Sequence, residues 1–242
     1  MEFIGFRSYF CKPNLQWHFS MWSYIKQFKF FFIALGVLSA IIVAVFYNIL
    51  KVDKPLPIYQ PAQMDTSLVD STIQAKRKYH KIADFKLVNQ NGDTITQKDY
   101  ENKIYVADFF FTTCQTICPI MTGQMHRVQE EIKNDDEVML LSHSVTPEID
   151  SVTQLKKYAI EKGVDDDKWN LVTGDRKQIY DLARKSYLVV KDDGTGDYGM
   201  VHTENFALID KDKQIRGMYD GTSTASVDSL LMDIKKLKKS YQ

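Results

Sequence analysis

Phe30 to Tyr47 runs for eighteen residues without a charge, and Asn48, Ile49 and Leu50 extend it before Lys51. That length is enough to cross a bilayer as one helix, so residues 30–50 are expected to form a transmembrane anchor. No small-residue cleavage site follows, which argues against a removed leader, and no cysteine follows that could carry a lipid. Residues 51–66 hold Pro55, Pro57 and Pro61 and read as an extended linker. From 67 to 242 the pattern changes to short apolar segments of alternating period. Asp84–Val88 and Thr94–Thr96 flank Asn91-Gly92, a hairpin signal. Lys103–Phe111 and Val138–Val145 are apolar enough for buried central strands. Between them Met121, Met125, Val128 and Ile132 recur at helical spacing, predicting a helix from Pro119 to about Lys133.

The remaining elements follow the same logic. Val152–Glu161 is expected to be a helix closed by Gly163, and Lys168–Val172 a short strand. Arg176–Ser186 reads as a helix capped by Asp175, and Asp192–Gly199 as a polar turn. Glu204–Ile209 and Gln214–Tyr219 are strands, and Ser226–Lys239 is a closing amphipathic helix with Val227, Leu230, Leu231, Ile234 and Leu237 inward. Strands alternating with helices indicate an α/β architecture with a central sheet.

Charge adds direction to this plan. Lys plus Arg and Asp plus Glu both number 31, which lacks the basic excess of a nucleic-acid binder. The segment 1–29 is net basic, with Arg7, Lys12, Lys26 and Lys29 against Glu2. The positive-inside bias therefore places residues 1–29 in the cytoplasm and everything beyond 51 outside it. Met21 is a second possible start. Cys11 then lies in a reducing compartment as a spectator, and the two other cysteines lie in an oxidising one.

Those two stand in Asp108-Phe-Phe-Phe-Thr-Thr-Cys114-Gln-Thr-Ile-Cys118-Pro119-Ile-Met121, where an apolar strand gives way to a helix. Spaced i, i+4 with a proline behind, both sulfurs can converge at a helix start, where a thiolate is stabilised. Such a dithiol can close a reversible disulfide or bind a soft metal, Cu(I) above all. A static disulfide is the plain alternative, but so short a loop restricts the unfolded chain little. A third ligand has five candidate histidines. His18 lies across the membrane, His80 sits in a solvated basic stretch, and His126 is a half-exposed helix residue. His143 is expected to pack or hydrogen-bond at a strand end, and His202 follows a flexible turn and feeds a late strand. Met121 and Met125 are expected in the core, Asp165–Asp167 in a solvated turn, and Lys235, Lys236, Lys238 and Lys239 on an exposed helix face.

The stretches DFFFTTCQTICPIM, SVTPEIDS and VHTENFALID resemble the SCO/SenC family of copper chaperones over about residues 80–240. The resemblance implies a thioredoxin-like domain on one membrane anchor, with a single copper ion held by Cys114, Cys118 and His202. It also implies the inner (cytoplasmic) membrane with the C-terminal domain periplasmic. The implied partners are the copper-site subunit of cytochrome c oxidase, or another copper protein, and a thiol reductant. The implied role is assembly of the oxidase's dinuclear copper centre. A thiol-disulfide oxidoreductase using Cys114 and Cys118 as a redox-active pair, with copper incidental, stays open as the alternative; a peroxidase is a third reading. Three features depart from the family pattern: Val201, Thr146 and Ile149 replace commoner charged residues. No proline follows Pro147, which argues against a general disulfide reductase.

Overall fold

The computed structural model describes residues 26–50, 55–64, 69–189 and 203–241. The chain divides into two units, Met1–Lys54 and Pro55–Gln242. The first contains helix α1 (Lys29–Leu50). Its stretch Lys29–Tyr47, with mean hydropathy 2.7 and none of it buried, has the length and composition of a membrane span.

The second unit is built on a mixed seven-stranded sheet flanked by helices, the architecture the sequence predicts. In chain order it contains β1 (Lys86–Asn89), β2 (Thr94–Thr96), β3 (Ile104–Phe110) and helix α2 (Ile117–Ile132). Then follow β4 (Val138–Ser144), α3 (Val152–Lys162), β5 (Trp169–Thr173), α4 (Arg176–Asp181), β6 (Asn205–Ile209), β7 (Ile215–Asp220) and α5 (Thr224–Lys239). The strand order is β2-β1-β5-β4-β3-β6-β7. Strands β3, β4 and β5 run parallel, while β6 runs antiparallel to β3 with Ala107 opposite Ala207.

All seven residues of β3 are buried, because each face of the sheet is covered. On one face Ile104, Val106 and Phe110 meet Met121, Met125 and Val128 of α2 and Val227, Leu230 and Ile234 of α5. On the other, Tyr105, Ala107 and Phe109 meet Ile179, Leu182 and Tyr187. Alternation along one strand thus feeds two cores. The methionines are core residues, as their spacing predicts, while Leu231 is only partly buried against the α2 and α5 side.

Local signals act where they were read. Gly92 (φ 86°) turns the β1–β2 hairpin, and Gly163 (φ 69°) ends α3 in the left-handed region that glycine tolerates. Asp175 caps α4 by accepting from the Gln178 N–H at 2.7 Å. Three expectations change. The helix expected over 176–186 is α-helical only to Asp181 and then makes a π turn, Leu182–Ser186. That turn aims the Ser186 carbonyl at His80 Nε2 (2.7 Å), so His80 is buried rather than solvated. Helix α2 also starts at Ile117, two residues before Pro119, whose missing N–H falls among the helix's unbonded first amides. The polar turn expected over 192–199 lies outside the described residues.

The proline-bearing stretch is bonded to the sheet edge from residue 56 onward. The Tyr59 N–H donates to the Ile215 carbonyl (2.9 Å) along edge strand β7. Arg216 donates to the carbonyls of Leu56 (2.6 Å) and Pro57 (3.1 Å), and pairs with the buried Asp210 carboxylate at 2.9 Å.

His143, on β4, is fully buried and stacks on Phe109 with ring centroids 4.6 Å apart. Its Nδ1 donates to the Asp108 carbonyl at 3.2 Å, and its Nε2 has no partner. Burial holds its pKa down at about 4, against 6.5 for an ordinary imidazole. Between those values the unfolded chain binds the extra proton, so His143 removes stability as pH falls from 6.5 to 4. The stability of His143→Phe relative to wild type should therefore rise by about 1.4 kcal/mol per pH unit on acidification through that window, and stay level above it. Urea unfolding across pH reads this, and parallel profiles for the two proteins would contradict it.

Candidate metal centre

Strand β3 delivers the chain to the sheet end, where Phe111 to Thr116 form a short connection into α2. The two cysteines predicted from sequence are brought together there. Cys118 is buried one residue inside α2, Cys114 is half-exposed in the connection, and both are free thiols. The Cys114 N–H donates to the Phe111 carbonyl at 3.3 Å, which curls the loop back over the strand end.

The environments of the two sulfurs differ sharply. Burial pushes the Cys114 thiol up. Hydrogen bonds from the Cys118 thiol, from the backbone N–H groups of Cys118 and Thr116 and from the Thr116 hydroxyl outweigh it, bringing the pKa down to about 7. The Thr116 Oγ1 lies 3.6 Å from Cys114 Sγ. These are the free amides of a helix start, which stabilise negative charge. Cys118 goes the other way. Burial first, then the proton it shares with Cys114, push it up to about 12, and the charges of Cys114 and Asp108 add to the shift. One sulfur is thus a ready, accessible thiolate and the other holds its proton beneath it.

Two carboxyls behind the pair were not singled out from sequence. Asp108 interrupts the otherwise apolar β3 and is buried, with Oδ1 unpartnered. Burial raises its pKa to about 7 against the pull of a hydrogen bond from Ser142. A lone acid inside IYVADFFF was its visible signal. Asp150, in the β4–α3 connection, is fully buried and bonded to Thr112. In sequence it stood only as one residue of the SVTPEIDS stretch.

A cleft of about 380 Å³ opens beside Cys114, walled by Pro119, Gln154, Tyr158 and Lys162. Two others of about 410 and 450 Å³, on either side of Asp84, contain no thiol or imidazole, so the chemistry sits at the smaller one.

Of the histidines, His143 packs within the sheet and His126 is half-exposed on α2. Cys11, His18 and His202 lie outside the described residues. Among the described residues no three His, Cys, Asp or Glu side chains converge as a metal cage. The described part of the centre is a pair of soft donors, one reachable from solvent, which suits a soft monovalent metal better than a hard cation.

The first ionisation of the reduced pair belongs mainly to Cys114. Iodoacetamide should modify Cys114 first, with a rate that rises through about pH 7, while Cys118 stays protected until the fold is lost. Mass spectrometry of the reduced, metal-free chain reads the order, and preferential labelling of Cys118 would contradict it.

Residues 73–239 match the SCO1/SenC family model. The SCO1 protein homolog of Bacillus subtilis (strain 168) is 31% identical over 158 residues, covering 64% of this chain and 82% of that protein. The structure of BsSco, a member of the Sco family of cytochrome c oxidase assembly proteins in which a disulfide switch was identified, superposes with a TM-score of 0.58 at 31% identity. It covers 66% of this chain and 94% of BsSco. Bradyrhizobium japonicum ScoI, solved with copper bound, superposes with a TM-score of 0.53 at 26% identity, covering 66% and 99% of the two chains. With a thioredoxin-like sheet and a C-x-x-x-C pair where β3 meets α2, the chain belongs to the SCO1/SenC family.

Proposed function

We propose that this chain is a membrane-anchored copper chaperone that binds one copper ion through Cys114, Cys118 and His202 and assists assembly of the copper site of cytochrome c oxidase. The observation that carries the reading is the pair itself: an accessible, acidified Cys114 hydrogen-bonded to Cys118 at a helix start. Two relatives of the same fold add to it, one solved with copper bound and one described as an oxidase assembly protein.

The third ligand rests on topology and chain reach. Strand β6 is antiparallel to β3, so the chain enters β6 at the sheet end where β3 leaves for the cysteines. Thr203 is buried at that entrance, with its Oγ1 accepting from the Asn205 N–H at 3.1 Å. His202 precedes Thr203 directly in the chain. An imidazole beside two thiolates completes a three-donor set suited to Cu(I).

In this reading α1 anchors the chain in the inner membrane, and the basic segment 1–29 keeps the N-terminus cytoplasmic and the dithiol periplasmic. Copper binding needs both thiols reduced and releases their protons. The working partners are therefore a thiol reductant that keeps the pair open and an acceptor protein that takes copper by ligand exchange, sulfur for sulfur, with no change in oxidation state.

One observation favours a second reading. A sulfur near pKa 7 beside another near 12 is also what thiol-disulfide exchange uses, the first attacking a partner disulfide and the second resolving the mixed disulfide.

Anaerobic Cu(I) titration of the full chain in detergent should give one copper per chain. Cys114→Ser and Cys118→Ser should abolish it, and His202→Ala should weaken binding by at least about tenfold. Wild-type affinity in His202→Ala removes His202 from the site. Copper-free disulfide exchange that is fast in both wild type and His202→Ala favours the second reading.

A further inference from the structure

We propose that Asp150 is the positioning residue of the dithiol, acting through Thr112 to fix the loop that carries Cys114. The inference rests on the reading that Cys114 and Cys118 are the working pair. Asp150 is fully buried, yet its carboxylate accepts four hydrogen bonds, which satisfies both oxygens without a counter-cation. Oδ1 accepts from the Thr112 hydroxyl at 2.5 Å. Oδ2 accepts from the Thr112 N–H (3.2 Å), the Ser144 hydroxyl (2.6 Å) and the Thr146 hydroxyl (3.1 Å).

Those donors come from three places. Ser144 ends β4, Thr146 opens the connection to α3, and Thr112 lies two residues before Cys114. The connection holding Asp150 is itself pinned. The Val145 N–H donates to the Phe110 carbonyl at 2.9 Å, and the Asp150 N–H to the Thr146 carbonyl at 2.9 Å. From α3, Gln154 Nε2 donates to Thr112 Oγ1 at 3.1 Å, so Thr112 is held from two elements. The residues after Thr112 have less to hold them. Thr113 and Gln115 are both exposed, and the Cys114 N–H makes a long bond of 3.3 Å back to Phe111. Thr112 is therefore the last fixed point before the accessible sulfur. Its clamp sets where Cys114 stands relative to Cys118, which is itself fixed by burial in α2.

Fixing one sulfur against the other raises their effective concentration for each other. The readout is the equilibrium between the open pair and its disulfide. Closure forms the Cys114–Cys118 bond and passes two electrons and two protons to glutathione disulfide, which becomes two glutathiones. The full chain in detergent, carrying Cys11→Ser so that only the pair reports, is equilibrated without copper in glutathione buffers of graded ratio.

Thr112→Val keeps the shape and the backbone N–H but removes the hydroxyl, and should lower the closure constant by about tenfold. Thr112→Ser keeps the hydroxyl and should match wild type. Asp150→Asn should follow Thr112→Val; if it fails to fold, the threonine pair still decides the matter, because Asp150 keeps three donors in Thr112→Val and all four in Thr112→Ser. A Thr112→Val constant within about twofold of wild type overturns the proposal, as does an equal loss in Thr112→Ser. The measurement contains no copper. A chain that binds no copper yet shows the predicted pattern would refute the chaperone reading and leave the positioning role standing.

Discussion

The site depends on the complete burial of β3. Seven residues lie between two helical layers and hydrogen-bond to neighbours on both sides, β4 in parallel and β6 in antiparallel register. A strand so enclosed cannot shift without turning its two core faces over. Where it ends, the chain has to surface and reverse into α2, and the cysteines occupy that reversal. The free amides of the helix start fall on Cys114, and the apolar face of α2 falls on Cys118. One packing constraint thus yields two sulfurs of opposite character a single turn apart.

That asymmetry is compatible with both metal transfer and disulfide exchange, since both begin with an exposed thiolate. A chaperone must hold copper firmly enough to collect it and loosely enough to give it up. In the proposed chaperone, Cys114, reachable from its cleft, would be the sulfur an acceptor's ligand displaces first, while Cys118 stays shielded. In the proposed periplasmic setting the same exposure would make the pair prone to oxidation and tie copper handling to a source of electrons. The family relation spans both sides of this chemistry, with copper-bound ScoI on one hand and the disulfide switch of BsSco on the other.

Much of the fold was legible because its signals are local. The apolar run IYVADFFF, the Asn91-Gly92 turn, the Asp175 cap and the Gly163 stop each act over a few residues, and each appears where it was read. What escaped depends on contacts distant in sequence. His80 looked solvated among basic residues, and only the π turn about a hundred residues later buries it against Ser186. Asp150 carried no signal of its own in sequence, because its meaning lies in Thr112, which the fold brings next to it. Helix α2 starts two residues before its proline, with buried Cys118 inside its first turn. Cys114 and Cys118 were legible from spacing, but the opposed shifts of their thiols required the packing. His202 came from family resemblance and a late strand, and it lies outside the described residues.

The proposed centre is a copper ion held by two sulfurs and one imidazole. X-ray absorption at the copper edge of the Cu(I)-loaded full chain in detergent tests it most directly. Two sulfur neighbours and one nitrogen with the outer scattering of an imidazole ring are expected, with loss of that ring signal in His202→Ala. A spectrum of sulfur neighbours alone, unchanged by His202→Ala, would contradict it.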